Sequence, residues 1–223
     1  MGQKVNPISF RMSQSRDWKS RWFSADKKQY QKNLLEDVKI RKFLFTKLKL
    51  AGLTKVQIER SINKMKIILH VSRPGVVIGR GGTGLEILKK EICQMVSMPQ
   101  PEKNLEIEAV EVKNPDLNAY LVGLKISDQL QKRMPYRRVV SKAIESTMAA
   151  GAKGIKIVLA GRIAGAEISR REKFGDRGKT GNIPAQTLRA DIDFASVPVL
   201  TRSGFIGVKV WIYKGEEEKN RES

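Results

Sequence analysis

The sequence predicts an α+β protein with two folded sections and a short segment at each end. Three observations lead to this fold class. Several short segments alternate apolar and polar residues as half-buried strands do, and longer segments place apolar residues at helical spacing. A glycine-rich stretch, 74–84, lies between a predicted strand and a predicted helix. The Asn-Pro-Asp sequence at 114–116 then interrupts the pattern and divides the chain.

The first section, 26–113, is predicted to contain a three-stranded sheet with helices on one face. Its first helix, 26–51, begins at a possible N-cap, Asp26, and its expected apolar side includes Leu34, Leu35 and Val38. The later elements are strands at 55–60, 65–71 and 105–112, a short helical turn at 76–78, and a helix at 85–97.

The second section, 114–213, is predicted as two helices packed on a mainly antiparallel sheet. Pro135 separates the helices, and Gly151 and Gly154 follow the second one. The expected strands are 155–159, 189–194 and 207–213, with a hairpin at 161–171. Residues 1–25 form a basic and aromatic N-terminal tail in this scheme, and residues 214–223 form a charged C-terminal tail.

Charge limits the partners of this chain. The chain contains 43 Lys and Arg residues and 23 acidic residues, which gives a formal net charge of +20 and a pI near 10.2. Nucleic acid, an anionic membrane and acidic protein are all compatible with that charge. Because the basic residues are spread along the whole chain, extensive contact with phosphates is favoured. No apolar run approaches the length of a membrane span.

The residue types available for chemistry are few. One cysteine, Cys93, excludes a disulfide within the chain, and one histidine, His70, lies in a predicted strand as a structural residue. This pair cannot supply the usual ligands of a zinc site. The carboxylates are scattered, with no acid–base constellation. We therefore expect no enzyme activity, no metal, no cofactor and no small-molecule substrate.

The glycine stretch fits two ligand chemistries and also a plain turn. Gly79, Arg80, Gly81 and Gly82 form a GxxG loop of the kind that clamps a nucleic-acid backbone. The same glycines with Gly84 match the dinucleotide pattern GxGxxG. The segment Arg73-Pro-Gly-Val-Val-Ile78 lies between the strand and the first of these glycines, whereas a dinucleotide loop needs that glycine at the strand end. The spacing therefore favours GxxG.

A second glycine loop, Gly178-Lys-Thr180, resembles the end of a phosphate-binding P-loop. That motif needs a glycine five positions earlier, where this chain has Lys173. The loop is therefore interpreted as basic and without a nucleotide.

Several motifs in the correct order resemble the bacterial-type ribosomal protein S3 (uS3) family over nearly the whole chain. They are Met1-Gly-Gln-Lys-Val-Asn-Pro7, Val77-Ile-Gly-Arg-Gly-Gly82, Gly151-Ala-Lys-Gly-Ile-Lys156, Gly161-Arg-Ile-Ala-Gly-Ala-Glu-Ile-Ser-Arg170, Thr187-Leu-Arg-Ala-Asp-Ile-Asp193 and Gly204-Phe-Ile-Gly-Val-Lys-Val-Trp-Ile212. The element order of the first section is similar to a type II KH domain. The resemblance implies an RNA-binding structural protein in the head of the small ribosomal subunit.

The resemblance also implies partners and contacts. The family's C-terminal domain binds 16S-type rRNA near proteins S10 and S14, and with S4 and S5 the family lines the channel through which mRNA enters. The family's mRNA contacts map onto Arg137 and Arg138. Ser141 stands where relatives often have a lysine, although Lys142 follows it. We expect the mRNA contacts to be Arg133, Arg137, Arg138 and Lys142.

The expected rRNA contacts crowd the glycine-rich loops of the C-terminal sheet. They are Arg162, Arg170, Arg171, Lys173, Arg177, Lys179 and Arg189. Arg189 has an alternative, an ion pair with Asp191 or Asp193 in its own strand. Two other functions stay open at this point: a free KH-type regulator acting off the ribosome, and a nucleotide-dependent or RNA-processing enzyme. A cytoplasmic ribosome is the expected location, with an organelle ribosome as the alternative.

Overall fold

The structure is a computed structural model that describes residues 4–12, 14–61, 64–96, 104–175 and 183–216. Its contacts divide the chain into two compact units. We call residues 18–113 the KH unit, and the remainder, up to Asp17 and from Asn114 onward, the C-terminal unit.

The KH unit has the predicted order of elements. They are β1 (Ser20–Arg21), α2 (Lys27–Lys47), β2 (Leu53–Arg60), β3 (Met65–Val71), α3 (Pro74–Ile78), α4 (Thr83–Met95) and β4 (Leu105–Glu111). The sheet order is β1-β2-β3-β4, in which β2 and β3 are antiparallel and β4 runs parallel to β3. The three predicted strands are present, and Ser20 and Arg21, from the predicted N-terminal tail, add a short edge strand.

Helix α2 buries only part of the side predicted to be apolar: Phe43, Phe45 and Leu48 of that side pack on the core. Its buried apolar residues are Ile40 and Leu44, whereas Leu34, Leu35 and Val38 are all exposed. The reason lies one turn before Ile40, where buried Glu36 and Asp37 take positions that hydrophobicity assigns to the surface. Both acids pair with the buried side chain of Arg60. Apolar periodicity does not indicate a buried ion pair of this kind.

The C-terminal unit has two helices on one face of an antiparallel sheet, as predicted. Its elements are α1 (Pro7–Phe10), α5 (Ala119–Gln131), α6 (Tyr136–Ala149), β5 (Gly154–Gly161), β6 (Arg170–Gly175), β7 (Ala190–Thr201) and β8 (Gly204–Glu216). The strand order is β6-β5-β8-β7, and every neighbouring pair is antiparallel. The helices and the sheet enclose one apolar core.

The N-terminal segment is not a separate tail. Arg11 is fully buried and donates hydrogen bonds to the carbonyl oxygens of Ala185 (3.0 Å) and Thr187 (2.8 Å), and Arg16 pairs with Asp191. Residues 4–12 and 14–17 therefore pack on the rest of the C-terminal unit, while 18–25 belong to the KH unit. A buried arginine that holds loop carbonyls has no periodic signal, so the sequence did not predict this docking.

The other chain end also differs from its prediction. Lys214, Gly215 and Glu216 continue β8, and the last two pair with Asp191 and Ala190. The strand thus extends beyond the expected boundary at 213, and residues 217–223 lie outside the described part of the chain. Within the described residues, no helix has the length and hydrophobicity needed to cross a bilayer.

Candidate nucleic-acid interface

The GxxG loop connects two helices through three glycines with positive φ. Helix α3 ends at Ile78 and is capped by Gly79 (φ 71°), a single 3-10 turn covers Arg80–Gly82, and α4 begins at Thr83. Gly81 (φ 64°) and Gly82 (φ 84°) have open space where a Cβ would lie. Arg80 and Gly81 are exposed. The loop therefore presents bare backbone and one cation to solvent, which suits contact with a phosphate.

Gly84 has a different role from the loop glycines. A Cβ at this position would lie 2.5 Å from the carbonyl oxygen of Val77 and 2.9 Å from that of Ile78. Because glycine has no Cβ, α4 packs directly against α3. The loop therefore lies between two closely packed helices. The exposed apolar side chains of Val76 and Ile87 belong to these same two helices. The helical turn predicted at 76–78 is confirmed as α3.

Arg133 occupies an unusual backbone position at the end of α5. Its φ is 59°, and its N–H donates to the carbonyl oxygen of Leu130 at 3.0 Å. The N–H of Met134 donates to the carbonyl oxygen of Gln129 at 3.2 Å. These two bonds form a Schellman motif, whose left-handed residue is usually glycine. Pro135 then stops the helix.

Arg137 is tied to strand β6 through one tyrosine. Its Nε donates to the hydroxyl of Tyr136 at 3.2 Å, and that hydroxyl donates to Oε1 of Glu172 at 3.1 Å. The bond with Tyr136 and the nearby Glu172 raise the pKa of Arg137. Tyr136 also packs edge-on against Phe174, with ring centroids 6.3 Å apart. The start of α6 is thereby fixed to the β5–β6 hairpin.

Arg138 and Lys142 lie one turn apart on the exposed side of α6, whose opposite side buries Val139 and Val140. Ser141 is also exposed. In the described residues, neither Arg138 nor Lys142 has an ion pair. Both are therefore available to a phosphate, and a lysine at 141 would face solvent as well.

Two members of the predicted rRNA set lie on the open face of the C-terminal sheet, and two lie at the ends of its strands. Along β6, Glu172 and Phe174 face the helices, so Arg171 and Lys173 project from the opposite, open face. Arg162 lies after β5 and donates from Nε to the carbonyl oxygen of Ala166 at 2.9 Å. Arg170 is exposed at the start of β6.

Two lysines missed by the sequence interpretation lie on the same open face. Lys156 pairs across the sheet with Trp211, and Lys209 pairs with Val158, which in turn pairs with Lys173. Burial lowers the pKa of Lys156, and the neighbouring cations Lys4, Lys173 and Arg171 lower it further. Strict alternation in β5 and β8 was the available signal, because each lysine stands between two buried residues.

Arg189 is exposed, and in the described residues it has neither of the ion pairs considered from the sequence. Asp191 pairs with Arg16, and Asp193 accepts a 2.8 Å hydrogen bond from the backbone N–H of Ala119 at the start of α5. Arg189 is therefore open to RNA. Arg177, Lys179 and the loop at 178–180 lie outside the described residues.

The titratable groups give no catalytic arrangement in the described part of the chain. No group of three potential metal ligands is present there. His70 is half-buried, and its Nε2 lies 2.6 Å from Oε1 of Gln57. Burial and the charge of Lys55 lower the pKa of His70.

Comparison with known proteins identifies the family. Residues 39–117 match the KH domain, and residues 126–212 match the ribosomal protein S3 C-terminal domain. The chain is 47% identical to small ribosomal subunit protein uS3 of Desulforamulus reducens over 97% of this chain and 93% of that protein. It is 48% identical to uS3 of Clostridioides difficile over 97% of this chain and 76% of that protein, and 47% identical to uS3 of Bacillus thuringiensis strain Al Hakam over 97% and 94%. The chain therefore belongs to the ribosomal protein uS3 family, whose members are structural proteins of the small subunit rather than enzymes.

Proposed function

We propose that the chain is a structural component of the small ribosomal subunit that binds 16S-type rRNA in the head through its C-terminal unit. The observation that carries this proposal is the open face of the C-terminal sheet. Arg171, Lys173, Lys156 and Lys209 project from that face, and the residues paired with them across the strands include no carboxylate. Such a surface is electrostatically suited to a run of phosphates.

Aromatic residues strengthen the case for RNA on this face. Phe194 and Trp211 pair across β7 and β8, and their ring centroids are 5.0 Å apart. Trp211 is also the cross-strand neighbour of Lys156. A lysine beside a partly exposed indole offers charge to phosphate and an aromatic face to a base or sugar. An acidic protein partner would form ion pairs with the lysines, but it would gain less than RNA does from stacking on the aromatic rings.

The start of α6 is proposed as the contact with mRNA. Arg137, Arg138 and Lys142 are exposed there, and Arg133 ends the preceding helix. The Tyr136–Glu172 connection holds Arg137 in one place, which reduces the side-chain entropy lost when RNA binds. This surface would line the channel through which mRNA enters the subunit, with S4 and S5 nearby.

The GxxG loop is proposed as a second RNA contact, in which the backbone at Gly79–Gly82 and the Arg80 side chain hold a sugar-phosphate segment. Proteins S10 and S14 are the expected neighbours of the C-terminal unit. The ribosome of a bacterial-type cytoplasm is the proposed location.

Reconstituted small subunits provide the main test. Replacing Arg137 and Arg138 together with Ala should slow the unwinding of structured mRNA by about tenfold while leaving subunit assembly intact. Replacing Lys173 and Lys209 with Ala should instead weaken assembly, because these residues are assigned to rRNA. A failure of assembly with the first pair would mean that the α6 arginines anchor rRNA.

A salt wash separates the ribosomal role from a free regulator. A subunit component bound by many contacts should remain with the small subunit in high salt, as measured by sedimentation. Complete release under conditions that retain other head proteins would favour the free KH-type regulator. Stoichiometric binding of NAD or ATP to the purified chain would contradict both functions.

A further inference from the structure

A cleft of about 580 Å³ opens in the C-terminal unit between the α5–α6 junction, the loop after β5 and the β7–β8 turn. That size lies within the range of about 300–1,000 Å³ typical of small-ligand sites. Its floor is apolar and buried, and includes Leu159, Ile163 and Ile206. The cleft is thus large enough for a compact planar group such as a nucleobase.

Three arginines line this cleft, one from each of the segments that form it. They are Arg133, Arg162 and Arg202, and all three are exposed. No carboxylate is present among the lining residues, and Arg133 and Arg202 have no ion pair in the described residues. An apolar floor below three unneutralised guanidinium groups is complementary to a ligand with a flat apolar part and a strong negative charge.

Backbone strain is concentrated at the same place. Among the described residues, the non-glycine residues with positive φ are Arg133 (φ 59°) and Ala164 (φ 56°), and both line the cleft. Glycine would fit the Schellman position of Arg133 without steric cost, yet the chain has a long cation there. Strain that the surrounding structure maintains is typical of binding sites.

The rim adds exposed apolar side chains to the charges. Met134 is 41% exposed and Leu200 is 59% exposed, and both line the opening. Apolar side chains next to arginines can cover the face of an unstacked base while the arginines pair with the adjoining phosphates. An acidic peptide would satisfy the arginines but has no flat group that the apolar floor requires.

We propose that this cleft binds one unpaired nucleotide of RNA, with its base on the apolar floor and its neighbouring phosphates on the three arginines. The proposal rests on the RNA-binding function above and deepens it. It adds Arg202, which neither the sequence nor the family resemblance selected. It also places Arg133 and Arg162 in one site, although they were predicted to contact different RNAs.

The full chain and Arg133→Gly provide the decisive comparison. Glycine suits the left-handed backbone at 133, so the variant should melt at the same temperature as the wild type or higher. Lys132→Ala is the matched control, because it removes the same charge one residue away and Lys132 does not line the cleft. Arg202→Ala tests the opposite rim.

Fluorescence anisotropy with a short unstructured RNA measures the outcome. Arg133→Gly and Arg202→Ala should each weaken binding about tenfold, while Lys132→Ala should change it about twofold at most. The same RNA as a duplex should lose little affinity in any variant, because its bases are paired. A uridine-rich RNA carrying 4-thiouridine should cross-link to 129–136 or 200–206, and Arg133→Gly should remove that adduct.

Three results would overturn the site. Equal losses from Lys132→Ala and Arg133→Gly would indicate general electrostatics. Equal losses with duplex and single strand would exclude an unpaired base. Stronger competition by a polyglutamate peptide than by RNA of equal charge would assign the cleft to protein. A wild-type chain that binds no RNA at all would instead contradict the proposed function, so the two failures are distinguishable.

Discussion

The two units of this protein carry the same net charge and use it differently. The KH unit contains 20 Lys and Arg residues and 10 acids, and the rest of the chain contains 23 and 13, so each carries a formal charge of +10. In the KH unit, acids often stand beside bases: Arg60 is buried against Asp37 and Glu36, and Lys66 pairs with Glu108 at 2.8 Å.

Acids in the C-terminal unit are used in other ways. Asp193 binds the start of α5, Glu172 accepts from a tyrosine hydroxyl, and Asp191 holds Arg16 of the N-terminal segment. Each of these acids fixes part of the fold. Asp116 pairs with exposed Lys125, but among the described residues the four basic side chains of the open face, Lys156, Arg171, Lys173 and Lys209, have no ion pair. Where the acids are placed, rather than how many there are, therefore decides which surface is suited to RNA.

The largest effect that this comparison predicts is in the KH unit. Asp37 is fully buried and accepts hydrogen bonds from Ser20 Oγ, Trp22 Nε1 and two nitrogens of Arg60. Asp37→Ala leaves the guanidinium of Arg60 with less than its full set of partners, so the free energy of unfolding should fall by about 3–5 kcal/mol. Urea denaturation, followed by Trp fluorescence, measures it.

Glu108→Ala is the matched control for that change. It removes a carboxylate from the pair with Lys66, whose side chains are about half exposed, so the expected loss is at most about 1 kcal/mol. Hydrogen exchange should show that Asp37→Ala opens β1 and β2 while leaving β5 and β8 protected. A loss shared equally by both units would show that the charge cluster does not belong to the KH unit alone.

A smaller effect is expected from a backbone contact in the C-terminal unit. Gly161 has φ 138°, and a Cβ there would lie 2.8 Å from the carbonyl oxygen of Phe205. Gly161→Ala should therefore destabilise the β5–β8 pairing by about 2 kcal/mol. Gly207→Ala is the control on the facing strand, since its Cβ would meet only Ala160 O, at 3.8 Å. Equal melting temperatures for the two variants would contradict this account.

RNA binding by the GxxG loop tests the comparison directly. Arg80→Asp combined with Gly81→Asp places two negative charges in the loop, and Asp tolerates the left-handed backbone with open space around Gly81. We expect about tenfold weaker binding of single-stranded RNA by the full chain, measured by anisotropy. Lys49→Asp combined with Leu50→Asp is the control, because it makes the same change of charge on two exposed side chains of the same unit outside the loop. Unchanged binding would mean that the C-terminal unit supplies the affinity alone.

Sequence patterns predicted the elements of the fold better than the ends of the units. Alternation located β2, β3 and β4 to within about two residues because each strand has one buried face. Docking of the N-terminal segment through Arg11, and the buried charges on α2, had no such signal. A buried charge is recognisable only with its partners, and those partners are distant in sequence.

The sequence selected candidate RNA contacts by residue type and did not predict how those residues are arranged. Arg133 and Arg162 were assigned to different RNAs, yet they line one cleft. Lys156 and Lys209 were not among the predicted contacts, which lie near glycine-rich loops, although alternation in the strands places them on the open face. The sequence alone did not select Arg202, a turn residue, because the other residues that line its cleft come from distant segments of the chain.

The smallest predicted effect is a pH dependence confined to the KH unit. Burial, and secondarily Lys55, lowers the pKa of His70, so the folded state favours the neutral ring. When the folded pKa lies below the unfolded one, the stabilisation is complete above the unfolded value and is lost as the pH falls through the folded one. The free energy of unfolding should therefore decrease from pH 7 to pH 5 slightly more in the wild type than in His70→Gln. Carboxylate titration contributes equally to both proteins, so the difference between their changes in unfolding free energy reports on the histidine alone. A difference of opposite sign would mean that the folded state favours the charged ring.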